Sequence, residues 1–412
     1  MEDDEEGRRL QEAARHGDLA TVSAVLEGGA HVDAIALDET STALILAASN
    51  DHLDVVRHLV EQGADKEVND KDGWTAVMKA SHRGYTDTVR YLVEQGADIE
   101  AKDPRGWTAL LFAVDRDHID AMRYLVEYGA DIEAKDNVGW TALLIVAYFG
   151  QVDIMQYLIQ QCANKEAKTQ KYGRTALIHG ARCGHLSAVQ YLVEQGADIH
   201  AKDVDGTTAL SFAADKAHID VVRCLVEKGT DIETKVEDGW TALMFAAQHG
   251  HFGIAEYLVQ HGIDKEAKSN EGVTALMWAA REGRLDVVRY LMDQGADMEA
   301  KDNDGWVALF FAASKGQMDV VRYLAAEGAH KHLVANNDQT ALMIAAKGGH
   351  LDVVSFLVDH SVDTEAKDQS SLNALLWAAT SGHLDVVRYL VERGADVLCV
   401  DAEGTSALLH LS

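Results

Sequence analysis

Residues 238–251 read DGWTALMFAAQHGH, and this stretch decides the fold. The Asp-Gly pair at its start is a turn signal, and the hydroxyl of Thr241 is suited to cap a helix by accepting an orphan backbone N–H. The apolar segment that follows predicts a short helix, in which the small side chains of Ala246 and Ala247 let a neighbouring helix approach closely. Gly250 predicts the end of that helix.

A second helix follows the first after a short connection. In its best-preserved copies, at residues 285–291 and 384–390, it reads LDVVRYL. The apolar residues recur at helical spacing, and the aspartate in the first turn complements the positive end of the helix dipole. A GADIEAKD segment, as at residues 96–103, then leads to the next turn. The sequence therefore predicts a unit of two helices and a connecting turn.

This unit recurs along the chain. Its Thr-Ala-Leu triplet, with Val replacing Leu once, begins at Thr42, Thr75, Thr108, Thr141, Thr175, Thr208, Thr241 and Thr274, with altered copies beginning at Val307, Thr340, Asn373 and Ser406. Every step is 33 residues, except for one of 34 between Thr141 and Thr175. A fixed period of this length predicts a solenoid, because each unit can bury its apolar face only by stacking on its neighbours.

The repeated unit resembles the ankyrin repeat. That family's pattern is a turn with Asp and Gly, then Thr-Pro-Leu-His, Ala-Ala, Gly-His, an outer helix and Gly-Ala-Asp. Here alanine replaces the proline in nearly every copy, and an apolar residue replaces the histidine that follows, so the polar network of that histidine cannot be carried over. The resemblance implies an all-α ankyrin-repeat solenoid with short β-hairpin or turn tips. We expect it to be elongated and monomeric.

The ends of the array differ from its middle. The expected boundaries are an acidic N-terminal tail at 1–7 and a single array at 8–412, divided into a capping repeat at 8–38, eleven full repeats at 39–404 and a partial last repeat at 405–412. The single insertion, within Lys165–Arg174, predicts one enlarged loop. Because the sequence stops inside an inner helix, it is either a fragment of a longer protein or ends in a frayed stub.

Composition limits the classes of partner. The net charge of −30 disfavours nucleic acid and anionic lipid, although a long solenoid also needs a charged surface for solubility. Four cysteines without CxxC spacing suit a reducing compartment, and we expect the cytoplasm, with the nucleus as the alternative. No signal peptide is evident, and the longest apolar runs, 142–149 and 306–313, are too short to span a membrane.

Nothing in the chain points to catalysis, a metal or a cofactor. The glycines and acidic residues are periodic, and no set of singular polar residues interrupts the repeat. One position after the inner helix carries His52, His118, His185, His218, His251, His350 and His383. Equivalent positions on stacked helices lie about 8–10 Å apart, which is too far for one ion. We therefore expect these histidines to be structural, capping and bridging the two helices, and the protein not to be an enzyme.

The aromatic residues are the first candidate for binding. Five tryptophans precede the N-cap position: Trp74, Trp107, Trp140, Trp240 and Trp306. Each could cover its neighbour's turn, or the row could supply contact anchors, since tryptophan and tyrosine dominate the energetics of interfaces. At the end of one inner helix, Tyr148 and Phe149 replace residues that are mostly polar elsewhere. With Trp107, Trp140 and Tyr172 they are predicted to form one aromatic patch.

A row of cations at the inner-helix ends is the second candidate. It comprises Arg83, Arg116, Arg182, Lys216, Arg281, Lys315 and Lys347, with a few acidic residues among them. These cations could complement the helix dipoles or guide an acidic partner. The predicted partner-binding residues are Trp74, Trp107, Trp140, Tyr148, Phe149, Tyr172, Arg83, Arg116 and Arg182.

The sequence therefore indicates a non-enzymatic scaffold or adaptor that binds a protein, in particular an acidic or aromatic segment, along the concave groove implied by the resemblance. The binding focus is expected between Trp74 and Lys216. Two alternatives remain at this stage. The chain could be the recognition or regulatory arm of a larger protein, such as a channel, a kinase or a ubiquitin-ligase substrate receptor, or it could be a structural spacer.

Overall fold

The computed structural model describes residues 2–35, 40–330, 333–360 and 362–407. Within them the chain forms helices joined by turns, and it divides into two compact units, Met1–Val204 and Asp205–Ser412. The predicted all-α fold of tandem helix pairs is confirmed.

In its described residues, each unit contains twelve helices, which alternate between a short inner helix and an outer helix. In the first unit they are α1 (Glu2–His16), α2 (Leu19–Glu27), α3 (Ala43–Ser49), α4 (Leu53–Glu61), α5 (Ala76–Arg83), α6 (Thr86–Glu94), α7 (Ala109–Asp115), α8 (Ile119–Glu127), α9 (Ala142–Phe149), α10 (Val152–Gln160), α11 (Ala176–Cys183) and α12 (Leu186–Glu194). The first helix is the longest and includes most of the acidic N-terminal segment.

The second unit repeats the same alternation. Its helices are α13 (Ala209–Asp215), α14 (Ile219–Glu227), α15 (Ala242–His249), α16 (Phe252–Gln260), α17 (Ala275–Arg281), α18 (Leu285–Asp293), α19 (Ala308–Ser314), α20 (Met318–Ala326), α21 (Ala341–Gly348), α22 (Leu351–Asp359), α23 (Ala374–Thr380) and α24 (Leu384–Glu392). The predicted inner helix of the partial last repeat lies mostly at 408–412, outside the described residues.

The repeated threonine begins each inner helix as predicted. The Oγ1 of Thr75, for example, accepts a hydrogen bond from the backbone N–H of Met78 at 3.4 Å, which satisfies one of the unpaired donors of the first turn. In the altered copy at Asn373, the side-chain Oδ1 accepts from the N–H of Leu376 at 3.0 Å. Val307 offers no such acceptor, and α19 begins without a side-chain cap.

The repeated histidines join neighbouring repeats. Their Nε2 atoms bond to the last carbonyls of the preceding inner helix: His52 to Arg15, His118 to His82, His185 to Tyr148, His251 to Asp215, His350 to Ser314 and His383 to Lys347, at 2.9–3.1 Å. Arg284 and Gln317 make the same bond where histidine is absent. The predicted structural role is confirmed, but the connection runs between repeats rather than between the two helices of one repeat.

A ladder of carboxylates also links the repeats and explains part of the acidic composition. The Oε1 of a glutamate accepts the backbone N–H of the residue about 31 positions later, as in Glu67 with Asp98 at 2.9 Å and Glu100 with Asp131 at 2.8 Å. In the second unit Glu233 accepts from Asp264 at 2.7 Å. Much of the periodic negative charge therefore supports the stack and is not by itself a binding signal.

One glycine inside an inner helix provides a stability test. At the position of Gly180 in α11, nine other full repeats have alanine. A Cβ there would lie 3.4 Å from Val189 Cγ2 and 3.7 Å from the carbonyl oxygen of Ala147, which are ordinary contacts. Because glycine costs about 0.5–1 kcal/mol in a helix interior relative to alanine, Gly180→Ala should raise the free energy of unfolding by that amount. Urea denaturation measures the change.

The reverse substitution at an equivalent position, Ala113→Gly in α7, is the matched control and should lower stability by at least a similar amount. A lower urea midpoint for Gly180→Ala would show that Val189 cannot yield to the added methyl group.

Candidate functional site

The tip turns hold each tryptophan in a fixed position. In the turn before α7, Asp103 is buried, and its Oδ1 accepts the backbone N–H groups of Arg105 at 2.9 Å and Trp107 at 2.8 Å. The N–H of Asp103 in turn donates to the carbonyl of Trp107 at 3.0 Å. The same carboxylate pattern occurs at Asp70 and Asp136. The indole therefore leaves a rigid turn just before the N-cap of the inner helix.

Trp74 and Trp107 pack around a common core residue. The ring of Phe112, which is 1% exposed, lies 4.3 Å from that of Trp74 and 5.3 Å from that of Trp107, measured between centroids. Trp74 also contacts His82 at 5.0 Å and carries the Nζ of Lys79 4.2 Å above its ring. Both tryptophans are half-buried, so they stabilise the repeats as well as bordering the surface.

Trp140 is the centre of a second cluster. Its ring lies 4.5 Å from His179 and 5.6 Å from Tyr148, and Tyr148 contacts Phe149 at 5.1 Å. Among the described residues no ring contact joins this cluster to Trp107, whose ring packs on Phe112, the large core side chain of its own repeat. The single aromatic patch that includes Trp107 stays a prediction.

The insertion places Tyr172 beside the second cluster. In this repeat the tip turn closes from Thr169 to Arg174, five positions apart, whereas the turn at Asp103 closes over four. The enlarged loop is confirmed, and Arg174 takes the place before the N-cap that tryptophan holds in other repeats. Trp140, Tyr148 and Tyr172 line one groove of about 480 Å³.

The rim of this groove, which we call the Trp140 groove, is apolar and exposed. Tyr148 is 38% exposed, Phe149 49%, Tyr172 41% and Val138, at the preceding tip, 53%. Val138, Tyr148 and Tyr172 line the groove itself, and Phe149 continues the apolar surface next to Tyr148. Apolar side chains grouped in this way on a surface are typical of binding sites.

Positive charge surrounds the groove. Lys171, Arg174 and Arg182 line it, and the Nε of Arg174 forms an ion pair with the buried Oδ2 of Asp203 at 3.2 Å. The Nζ of Lys171 lies 4.9 Å above the ring of Tyr172, and its hydrogen bond and charge lower the pKa of the Tyr172 hydroxyl. Arg182, one of the predicted cations, therefore lies in the groove together with the aromatic residues.

The other predicted cations lie elsewhere. Arg83 borders a separate groove of about 400 Å³, which we call the Trp74 groove, together with Trp74, Lys79 and His82. Arg116 forms an ion pair with Asp115 at 3.1 Å, and Lys216 forms one with Asp215 at 2.9 Å. The predicted basic row is thus partly neutralised by acidic residues at the same helix ends.

Two family comparisons identify the chain. A profile described as "Ankyrin repeats (3 copies)" matches residues 62–136, 132–203, 200–269, 266–335 and 309–401, and one described as "Ankyrin repeats (many copies)" matches residues 25–77. The chain belongs to the ankyrin-repeat family. Ankyrin repeats are generally protein-protein interaction modules, and the family is typically non-enzymatic. A search of the curated proteins finds no match for the chain.

Sequence reasoning missed the most unusual residue of this ankyrin array. His179 faces the Trp140 groove but is only 3% exposed, and both of its ring nitrogens are buried without a hydrogen-bond partner in the described structure. Burial, together with the positive charges of Arg174 and Arg182, lowers its pKa to about 4. A signal was present, because the other full repeats have Leu, Lys, Phe, Ile or Trp at this position.

Among the described residues, no group of three or more His, Cys, Asp or Glu side chains is arranged to hold a metal ion. No helix in the described part of the ankyrin array has both the length and the apolar character needed to cross a membrane.

Proposed function

We propose that this ankyrin protein is a non-enzymatic interaction scaffold that binds a protein partner at the Trp140 groove. The observation that carries the proposal is the grouping of Tyr148, Phe149 and Tyr172, all exposed, around the half-buried Trp140. In the other inner helices the positions of Tyr148 and Phe149 are mostly polar or charged, so the repeat architecture does not require aromatic residues there.

The Trp74 groove is proposed as a secondary contact region. It offers Trp74, Arg83 and Lys79, but its aromatic ring is largely occupied by packing on Phe112 and His82. Trp107 is proposed to support this region from within, and Arg116 to add positive charge nearby. The strongest contacts are expected at the Trp140 groove, because hot spots combine aromatic anchors with a well-packed pocket.

We further propose that the protein acts as a monomer in the cytoplasm or nucleus. Among the described residues, none of the four cysteines, Cys162, Cys183, Cys224 and Cys399, forms a disulfide bond, which supports a reducing compartment.

The test replaces the two exposed aromatic residues with side chains that the array itself uses. Tyr148→Gln with Phe149→His introduces the pair found before Gly250, at the same place in α15, so the fold should be retained. We expect partners that co-purify with the wild-type chain to bind the double variant with at least about tenfold lower affinity. Quantitative mass spectrometry of captured proteins, followed by titration of the recovered partner, measures the loss.

Tyr128→Gln is the matched control. Tyr128 is 51% exposed but lies at the end of the outer helix α8, and five other outer helices carry glutamine at this position. The control should bind like the wild type. Equal capture by the wild type and the double variant would contradict the proposed site.

A further inference from the structure

The unpaired imidazole of His179 points to the chemistry of the ligand. A neutral imidazole has one N–H donor and one acceptor nitrogen, and a buried polar group without a partner carries a free-energy cost. His179 lines the groove, but its nitrogens are buried under the Trp140 ring at 4.5 Å, so a ligand that displaces this ring would supply the missing hydrogen-bond partner.

The charge around the groove defines that partner further. Lys171, Arg174 and Arg182 line it, and no carboxylate is among its lining residues, although Arg174 is paired with the buried carboxylate of Asp203 behind it. The groove beside Trp306 provides a contrast within the chain, because Glu271, Asp302 and Asp304 line it together with its cations. In a chain with a net charge of −30, a cationic groove with an unpaired donor is complementary to an acidic group.

The apolar rim distinguishes a peptide from a small anion. Val138, Tyr148 and Tyr172 leave a large part of their surfaces uncovered on the sides of the groove, and an inorganic ion would not cover them. A nucleic acid could also combine anionic and aromatic groups, but the strongly negative charge of the whole chain opposes it.

We infer that the Trp140 groove binds a peptide segment in which an acidic side chain stands next to a large apolar side chain. The carboxylate accepts the N–H of His179 and lies among Lys171 and Arg182, while the apolar side chain packs between Tyr148 and Tyr172. This inference rests on the proposed function, since it assigns a ligand chemistry to the same site.

The experiment selects ligands without assuming their sequence. A displayed library of random 12-residue peptides is panned on the full chain, with counter-selection on the Tyr148→Gln/Phe149→His variant. Selected peptides are synthesised with a fluorescent label, each with a partner in which the acidic residue is changed to its amide. We expect Asp or Glu beside a large apolar residue in the selected sequences, and at least about tenfold weaker binding of the amide partner.

His179→Phe then tests whether His179 receives the carboxylate. Phenylalanine stands at the equivalent position as Phe112, Phe212, Phe245 and Phe311, so the variant should fold, as circular dichroism would verify. The preference for the acid peptide over the amide peptide should become smaller in this variant, while Lys171 and Arg182 retain part of it. In the wild type, the acid peptide should shift the imidazole resonances of His179 more than the amide peptide does, and Tyr128→Gln should behave like the wild type.

The outcomes separate the two claims. Selected peptides without enrichment in acidic residues, or with equal affinity for acid and amide forms, would overturn the ligand chemistry and leave the binding site in place. Acetate or inorganic phosphate shifting His179 as strongly as the peptide would make the groove a simple anion site and also overturn the inference. Failure to recover any peptide that distinguishes the wild type from the double variant would overturn both.

Discussion

The wild-type protein is expected to become less stable as the pH falls from about 6.5 to about 4, and replacing His179 by phenylalanine should abolish this decrease. The folded pKa of His179 is about 4, against 6.5 for an unperturbed histidine. Between these values the unfolded chain binds a proton that the folded chain excludes, so the free energy of unfolding falls as the pH is lowered. The stability that the protein gains from keeping His179 neutral is fully present above about pH 6.5 and is lost below about pH 4.

The size of the effect follows from the shift. A difference of about 2.5 pKa units corresponds to about 3 kcal/mol, using 1.36 kcal/mol per unit. Urea denaturation of both proteins at intervals from pH 7.5 to pH 4 measures it. Because carboxylates titrate in both proteins, the quantity to follow is the difference between His179→Phe and wild type. Burial also lowers the pKa of His82 to about 4. Because His82 is present in both proteins, its effect cancels from this difference.

The variant should be at least as stable as the wild type at pH 7.5, since phenylalanine leaves no unpaired nitrogen. A difference between the two proteins that stays constant over this pH range would contradict the buried, neutral state of His179.

Substituting Gly84 by alanine is expected to destabilise the first unit by about 3 kcal/mol, well above the cost of a left-handed residue alone. Gly84 ends α5 with φ +76°, and a Cβ there would overlap the Nδ1 of His118 and lie 2.6 Å from its Cγ. His118 cannot move aside freely, because its Nε2 donates to the carbonyl oxygen of His82 at 3.1 Å. The added methyl group therefore disrupts a hydrogen bond that joins two repeats.

Gly96→Ala is the matched control for this prediction. Gly96 also has a positive φ, +83°, but nothing lies within 4 Å of its added Cβ. It should cost only about 1–2 kcal/mol, the strain of a left-handed alanine. Urea midpoints of the two single variants, and of Gly84→Ala combined with His118→Ala, separate backbone strain from the clash. Equal losses for Gly84→Ala and Gly96→Ala would show that the contact with His118 contributes nothing.

The candidate site was only partly predictable. Tyr148 and Phe149 stood out because they break a polar position of the repeat, and Tyr172 stood out because it lies in the one insertion. Trp140, Tyr148, Tyr172 and Arg182 line one groove. Trp107 is not among its lining residues and packs on Phe112, because the direction of an indole depends on which core side chain fills the space beside it.

The sequence by itself determined the repeat, its helices and their caps. The 33-residue period, the threonine caps and the apolar spacing are local properties, and one repeat contains all the information that they require. Only the tertiary structure decided which side chains of neighbouring repeats meet. The bond from His118 to His82, the glutamate ladder and the burial of His179 beneath Trp140 join residues about 31–39 positions apart. Such contacts depend on how one repeat stacks on the next, and the stacking is fixed by packing across the interface between repeats rather than by any single stretch of sequence.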